Sequence, residues 1–217
     1  MDQNYWDNFY DSNPDLKKPT KFARFIVNFI NEKNLVLNIF DLGCGTARDT
    51  NFFLLNKMNV LGIDLSSTVI KKNKTKFAKL NKTFIDFYST DFTCFDYENF
   101  NFKNSNISSY ALYSRFTLHS LNYDQENFFL NTLALTKNLK FLFIEARTIK
   151  DDIYGKGKKV GMHEFITTHY RRFIDPLVFL PKLKEIGFEI ITFEEGYGFS
   201  KTVNDDPHLM RVIAIKK

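Results

Sequence analysis

The chain has only two cysteines, one tryptophan and no apolar run near the roughly 20 residues of a membrane-spanning helix. Cys44 and Cys94 cannot build a disulfide framework and show no zinc-ligand spacing, so no metal site is expected and Cys44 should stay a thiol. That usage fits a reducing compartment. Met1 to Asp15 is polar and aromatic and lacks the apolar stretch of a secretion signal, so a soluble, cytoplasmic protein without membrane insertion is expected. Segregated charge is missing too. The formal net charge is +5 and the isoelectric point is near 9.0, yet acidic residues are scattered among the basic ones. This suits an anionic partner but offers no basic tail or block for nucleic acid. There are no internal repeats, and 217 residues with 44% hydrophobic content suit one α/β domain spanning residues 1–217.

What is present centres on Ile39 to Asp49, I-F-D-L-G-C-G-T-A-R-D. Gly43 and Gly45 lack a Cβ, so the backbone can turn sharply and approach a ligand, and Thr46 is expected to cap the helix that follows. That helix should run to Lys57 with Phe52, Phe53 and Leu55 on its buried side. Upstream, Tyr5, Trp6, Phe9 and Tyr10 share one face of a short helix, as core packing or as a flap over a ligand. Phe22, Phe25, Ile26, Phe29 and Ile30 mark an amphipathic helix from Thr20, and residues 1–34 together form a helical cap. Further strands are expected at Val60–Leu65, Thr83–Ser89, Ile107–Phe116 and Lys140–Arg147, with helices at Ser66–Leu80 and Tyr123–Asn138. The lysines of the Ser66–Leu80 helix spread around it and read as a solvated face. Lys150 to Thr168 has several glycines and lysines and no periodicity, so residues 150–172 are expected to form a mobile loop over the site. Asp175 and Pro176 open a helix that ends at Gly187, and Phe188–Phe193 and Leu209–Ile215 read as an antiparallel pair.

Alternating strands and helices imply a doubly wound, mostly parallel sheet, which binds ligands at the carboxyl ends of its strands. Asp41, Asp64, Asp91, the group Ser114, Arg115 and His119, and the pair Glu145 and Arg147 all fall there. A glycine turn followed by an acid after strand two fits a dinucleotide, but Arg48 interrupts G-x-G-x-x-G and Asp41 would repel a pyrophosphate. A cationic, zwitterionic ligand without phosphate suits Asp41 better.

D-L-G-C-G-T-A-R-D resembles motif I of the class I S-adenosylmethionine-dependent methyltransferases, whose Rossmann-like, seven-stranded sheet also ends in an antiparallel strand pair. The resemblance implies S-adenosyl-L-methionine as cofactor. Asp41 and the Gly43, Cys44 and Gly45 backbone would face its methionine part. Asp64, beside Leu65, would take the ribose hydroxyls, Asp91 and Phe92 the adenine, and Ser114 would complete the set.

Methyl transfer is an in-line displacement, and a base is needed only where the acceptor must lose a proton. His119 is the residue best placed to be one. The fourth strand carries Y-S-R-F in place of the N/D-P-P-Y/F motif of nucleobase amino-methyltransferases, and Cys94 lacks the Pro-Cys context of cytosine carbon-5 enzymes. Arg115, Arg147, His169, Tyr170, Arg171 and Arg172 gather near the same sheet edge, and several arginine forks together suit a small anionic substrate. The segments S-R-F-T-L-H-S-L, E-A-R-T and H-Y-R-R-F resemble a bacterial subgroup that modifies surface polysaccharide, distantly related to tellurite-resistance-type methyltransferases. That implies O-methylation of a phosphorylated or nucleotide-activated precursor of capsule or lipopolysaccharide. The alternatives are an RNA methyltransferase and a non-catalytic cofactor-binding partner subunit.

Overall fold

The computed structural model describes residues 3–12, 18–78, 85–102, 105–203 and 205–217. Five parallel strands, β1 (Asn38–Leu42), β2 (Asn59–Asp64), β3 (Ile85–Ser89), β4 (Tyr110–Arg115) and β5 (Leu139–Arg147), join β9 (Phe188–Gly196) and β10 (Leu209–Lys216) in a seven-stranded sheet. Its order is β3-β2-β1-β4-β5-β10-β9, and β10 runs antiparallel to both neighbours. The expected Rossmann-like architecture is therefore present. Strand order reverses at β1, whose Leu42 lies level with Ile63 of β2 and Ser114 of β4. The chain leaving β1 thus enters the crevice between diverging neighbours, where such sheets bind ligands.

β1 and β2 are buried along their whole length, which explains their continuous apolar reading. Helix α2 (Lys21–Glu32) packs Phe22, Ala23, Ile26, Val27 and Ile30 against one face of the sheet, and Thr20 caps it by accepting from the Ala23 N–H. At about 1.5–3 kcal/mol for each large apolar side chain fully buried, this helix is firmly anchored. Helix α1 (Gln3–Ser12) buries no residue completely. It is held by specific contacts: Asp7 accepts from the Ser66 hydroxyl and the Thr68 N–H, and Asp11 pairs with Lys72.

Three expectations need correction. Helix α3 (Arg48–Leu55) starts two residues beyond Thr46, preceded by Ala47 in left-handed conformation (φ 60°) with no side-chain cap. Its inward face carries Asp49 and Thr50, which bond to Thr20 and Asp41, so Phe53 and Leu54 share that face and Leu55 is exposed. Residues 150–172 are not a structureless loop: β6 (Lys158–Gly161), β7 (Glu164–Ile166) and β8 (Tyr170–Arg172) form a small antiparallel sheet. Strands of three or four residues are too short to show period-two alternation.

Elsewhere boundaries shift by a few residues. Helix α4 (Ser67–Ala78) follows Ser66, whose hydroxyl accepts from the Val69 N–H. The expected end of that helix at Leu80 and start of β3 at Thr83 lie outside the described residues. Helix α5 (Tyr123–Leu135) opens with a reciprocal capping box between Asn122 and Gln125. Helix α6 (Pro176–Glu185) has Asp175 as its cap, as its sequence indicates.

Candidate active site

The turn after β1 takes three left-handed residues: Gly43 (φ 64°), Gly45 (φ 50°) and Ala47. A Cβ on Gly43 would collide with the Thr117 methyl, and one on Gly45 would stand 2.8 Å from the Tyr10 hydroxyl. The glycines therefore serve both conformation and close approach. Asp64, at the end of β2, braces the turn. One carboxylate oxygen accepts from the Gly45 N–H at 2.9 Å and the other from the Ser66 N–H at 2.9 Å. Burial pushes its pKa up to about 6, while those same N–H groups pull it down.

Asp41 is buried beneath the turn and accepts from the Thr50 hydroxyl at 2.5 Å. Burial, followed by the nearby Asp49 charge, raises its pKa to about 8, so it is mostly protonated at neutral pH. Burial also raises the Cys44 thiol, keeping it unreactive.

These residues line a cleft of about 550 Å³, within the range usual for small-molecule sites. Leu65 and Phe92 lie on its wall, as do Tyr5, Trp6, Phe9 and Tyr10 of α1, which favours the flap over plain core packing. Asp91 and Ser114 do not reach the wall. Asp91 accepts from the Thr93 N–H and hydroxyl and so holds the tight turn that presents Phe92, and Ser114 is buried against the Thr117 hydroxyl.

Arg115, His119, Arg147, His169 and Arg171 also line the cleft. Arg115 binds Glu145 at 2.9 Å and the Ser200 hydroxyl at 2.6 Å, and its guanidinium stands 4.0 Å from the centre of the Phe116 ring. Phe116 itself adopts φ 60°, an uncommon conformation for a bulky residue and one that concentrates at functional sites. Arg147 is clamped by Asp151 and Asp205. Tyr170 and Arg172 are not on the wall: Tyr170 donates to the Leu121 carbonyl, and Arg172 is buried against the same carbonyl and Glu126. Side chains alternate along a strand, so Arg171 faces the cleft while its two neighbours face away.

His119 has no hydrogen-bond partner among the described residues, and its Nδ1 is shielded from solvent. Burial and the charges of Arg171 and Arg147 hold its pKa well below the ordinary range, so the ring is neutral at pH 7. His169 is likewise lowered, to about 4, by burial and then Arg171. Arg171 can only donate, so the 2.9 Å contact makes His169 Nε2 an acceptor, and the proton sits on Nδ1, facing the Tyr5 hydroxyl at 3.0 Å. Arg48, Asp49, Tyr113 and Thr117 also line the cleft without having been singled out in the sequence. Arg48 directly follows the glycine turn, which was a usable signal. Tyr113 and Thr117 reach the wall only through the sheet register.

This arrangement is a Rossmann-like methyltransferase fold with its ligand crevice at the strand ends. A S-adenosylmethionine-dependent methyltransferase from Anabaena variabilis has the same fold: TM-score 0.69 at 16% identity, covering 99% of this chain and 93% of that one. The magnesium protoporphyrin IX methyltransferase of Synechocystis, solved with bound S-adenosylmethionine, gives 0.63 at 12% identity over 90% and 78% of the two chains. A glycopeptide N-methyltransferase gives 0.63 at 15% identity over 92% and 97%. No curated protein sequence matches the chain. Residues 39–138 match the family model described as a methyltransferase domain. The matched segment runs from β1 through α5 and so includes the glycine turn, Asp64 and the strand ends that line the cleft. No helix among the described residues is long and apolar enough to cross a membrane.

Proposed function

We propose that the enzyme transfers the methyl group of S-adenosylmethionine to an oxygen of a small anionic acceptor. The observation that carries this reading is that Arg115, Arg147 and Arg171 line the same cleft as Asp41 and Asp64. Asp64 would take the ribose hydroxyls with the lone pairs left over from the Gly45 and Ser66 N–H groups. Asp41 would meet the cationic methionine part, which favours its ionised form and draws off its proton. Arg48 makes no ion pair among the described residues and lies beside the same turn, where it suits the methionine carboxylate.

With the sulfonium held at one end and the acceptor oxygen at the other, alignment supplies much of the acceleration. Within this class, the resemblance of the Arg115, Arg147 and His169 segments supports a phosphorylated or nucleotide-activated precursor of capsule or lipopolysaccharide. Calorimetry with S-adenosylhomocysteine tests the cofactor end: tight binding that is lost in Asp64→Ala is expected. Absent binding, or binding that Asp64→Ala leaves undiminished, overturns it. Methyl transfer to acidic sugars and nucleotide sugars, followed with labelled cofactor, tests the acceptor class.

A further inference from the structure

The arginines around the cleft differ in what already satisfies them. Glu145 is shared by Arg115 and Arg211, at 2.9 and 2.7 Å. Asp151 and Asp205 both bind Arg147. Arg171 has no carboxylate within ion-pair distance among the described residues; its hydrogen-bond partner is the neutral His169, and its Nε is buried without any partner there. Four guanidinium groups thus face three carboxylates, which leaves one positive charge unbalanced. Glu145 with its two arginines keeps one positive charge in excess and Arg147 with its two carboxylates one negative, so these offset each other, and Arg171 adds a positive charge with no carboxylate of its own.

A second orphan stands next to it. His119 is 6% exposed, lines the same wall, and has a buried Nδ1 without a partner, and Arg171 is the charge that acts on it most strongly. Buried polar atoms are nearly always paired, so two orphans on adjoining cleft side chains mark a place that a ligand completes. The walls beside them, Tyr5, Trp6 and Phe116, are aromatic. His169 holds the guanidinium from behind through the 2.9 Å contact.

We infer that Arg171 and His119 form a seat for one singly charged oxyanion of the acceptor, a carboxylate carried on a ring or apolar body. Arg115 and Arg147 shape the wall, Arg172 is buried away from it, and none of the three binds that group. The inference rests on the cleft being the methyl-acceptor site, narrows the acceptor from anionic to carboxylate-bearing, and within the proposed class favours a nucleotide-activated acidic sugar over a phosphorylated one. A carboxylate restores charge balance and takes the Arg171 fork from one side, with His119 closing the other as that side chain turns toward the incoming oxygen. A phosphate monoester, at about −1.5 to −2 near neutral pH, would leave an excess of negative charge.

The test is titration of the S-adenosylhomocysteine-saturated protein at pH 7.5 with benzoate and with phenyl phosphate, which share a ring and differ in charge. Benzoate should bind more tightly than phenyl phosphate. Arg171→Gln should weaken benzoate at least tenfold, the scale of a hydrogen bond to a charged group, with S-adenosylhomocysteine affinity unchanged. Arg171→Lys keeps the charge without the fork and should fall between the two. His119→Phe should also weaken benzoate. Failure of benzoate to bind, a change of less than twofold in Arg171→Gln, or a preference for phenyl phosphate overturns the inference. Should the wild-type protein not bind S-adenosylhomocysteine, the cofactor reading falls, while loss of benzoate in Arg171→Gln without cofactor still reports on the seat.

Discussion

Asp41 offers a quantitative check, because a carboxyl buried under a glycine turn must affect stability in a pH-dependent way. Its pKa of about 8 in the folded protein compares with a reference value of 3.8. Between those values the folded state holds a proton that the unfolded state has released. Stability therefore falls as pH rises from about 4 to 8, by up to about 1.4 kcal/mol per pH unit from this one group. Asp41→Asn removes the titration and keeps an oxygen for the Thr50 hydroxyl. Measured by denaturant unfolding of the ligand-free protein, the variant's stability relative to wild type should therefore rise by about 3 kcal/mol between pH 5 and pH 8. Asp64 also titrates in this range, but it is present in both proteins and largely drops out of the difference. Under the proposed role of this carboxylate in meeting the cationic methionine part, Asp41→Asn should bind S-adenosylhomocysteine less well even as the fold itself gains. A stability gap that is flat with pH, or that narrows toward pH 8, would refute the protonated buried Asp41.

Two other substitutions probe the packing around the site. Arg172→Met breaks a buried network in which Glu126 is also held by Lys182 at 2.8 Å, so it should destabilise the fold by about 3–5 kcal/mol in chemical unfolding. Benzoate affinity of the folded fraction should not change, and a fall matching that of Arg171→Gln would place Arg172 in the seat. Gly43→Ala and Gly187→Ala both put a side chain at positive φ, but only at Gly43 does the new Cβ meet another residue, the Thr117 methyl. Thermal unfolding should show Gly187→Ala costing about 1–2 kcal/mol and Gly43→Ala clearly more, with equal losses counting against the close approach.

Local chemistry made the glycine-turn part of the cleft legible in advance. A strand, a glycine turn and an acid after the second strand are each set by residues within a few positions of one another, and the doubly wound sheet follows from alternation alone. Asp41, Gly43, Gly45 and Asp64 could be placed for that reason. Asp91 and Ser114 also stand at strand ends, yet a strand end does not determine which way a side chain turns, and both turn to bond with neighbours.

At the proposed acceptor seat the sequence by itself determined only a collection of arginines and histidines near one edge. Which of them remain free depends on carboxylates distant in the chain: Glu126 lies 46 residues from Arg172, and Asp205 lies 58 from Arg147. Ion pairing of that kind is decided by sheet order and strand alternation. Two adjacent arginines on β8 thus have opposite fates, with Arg172 buried against Glu126 and Arg171 left facing the cleft. Tertiary structure alone also brings Tyr5 to His169, across 164 residues of chain, and so closes the cleft from the other side. The sequence specified the glycine-turn wall because its contacts are local; the proposed acceptor seat is a remainder left once distant charges have paired.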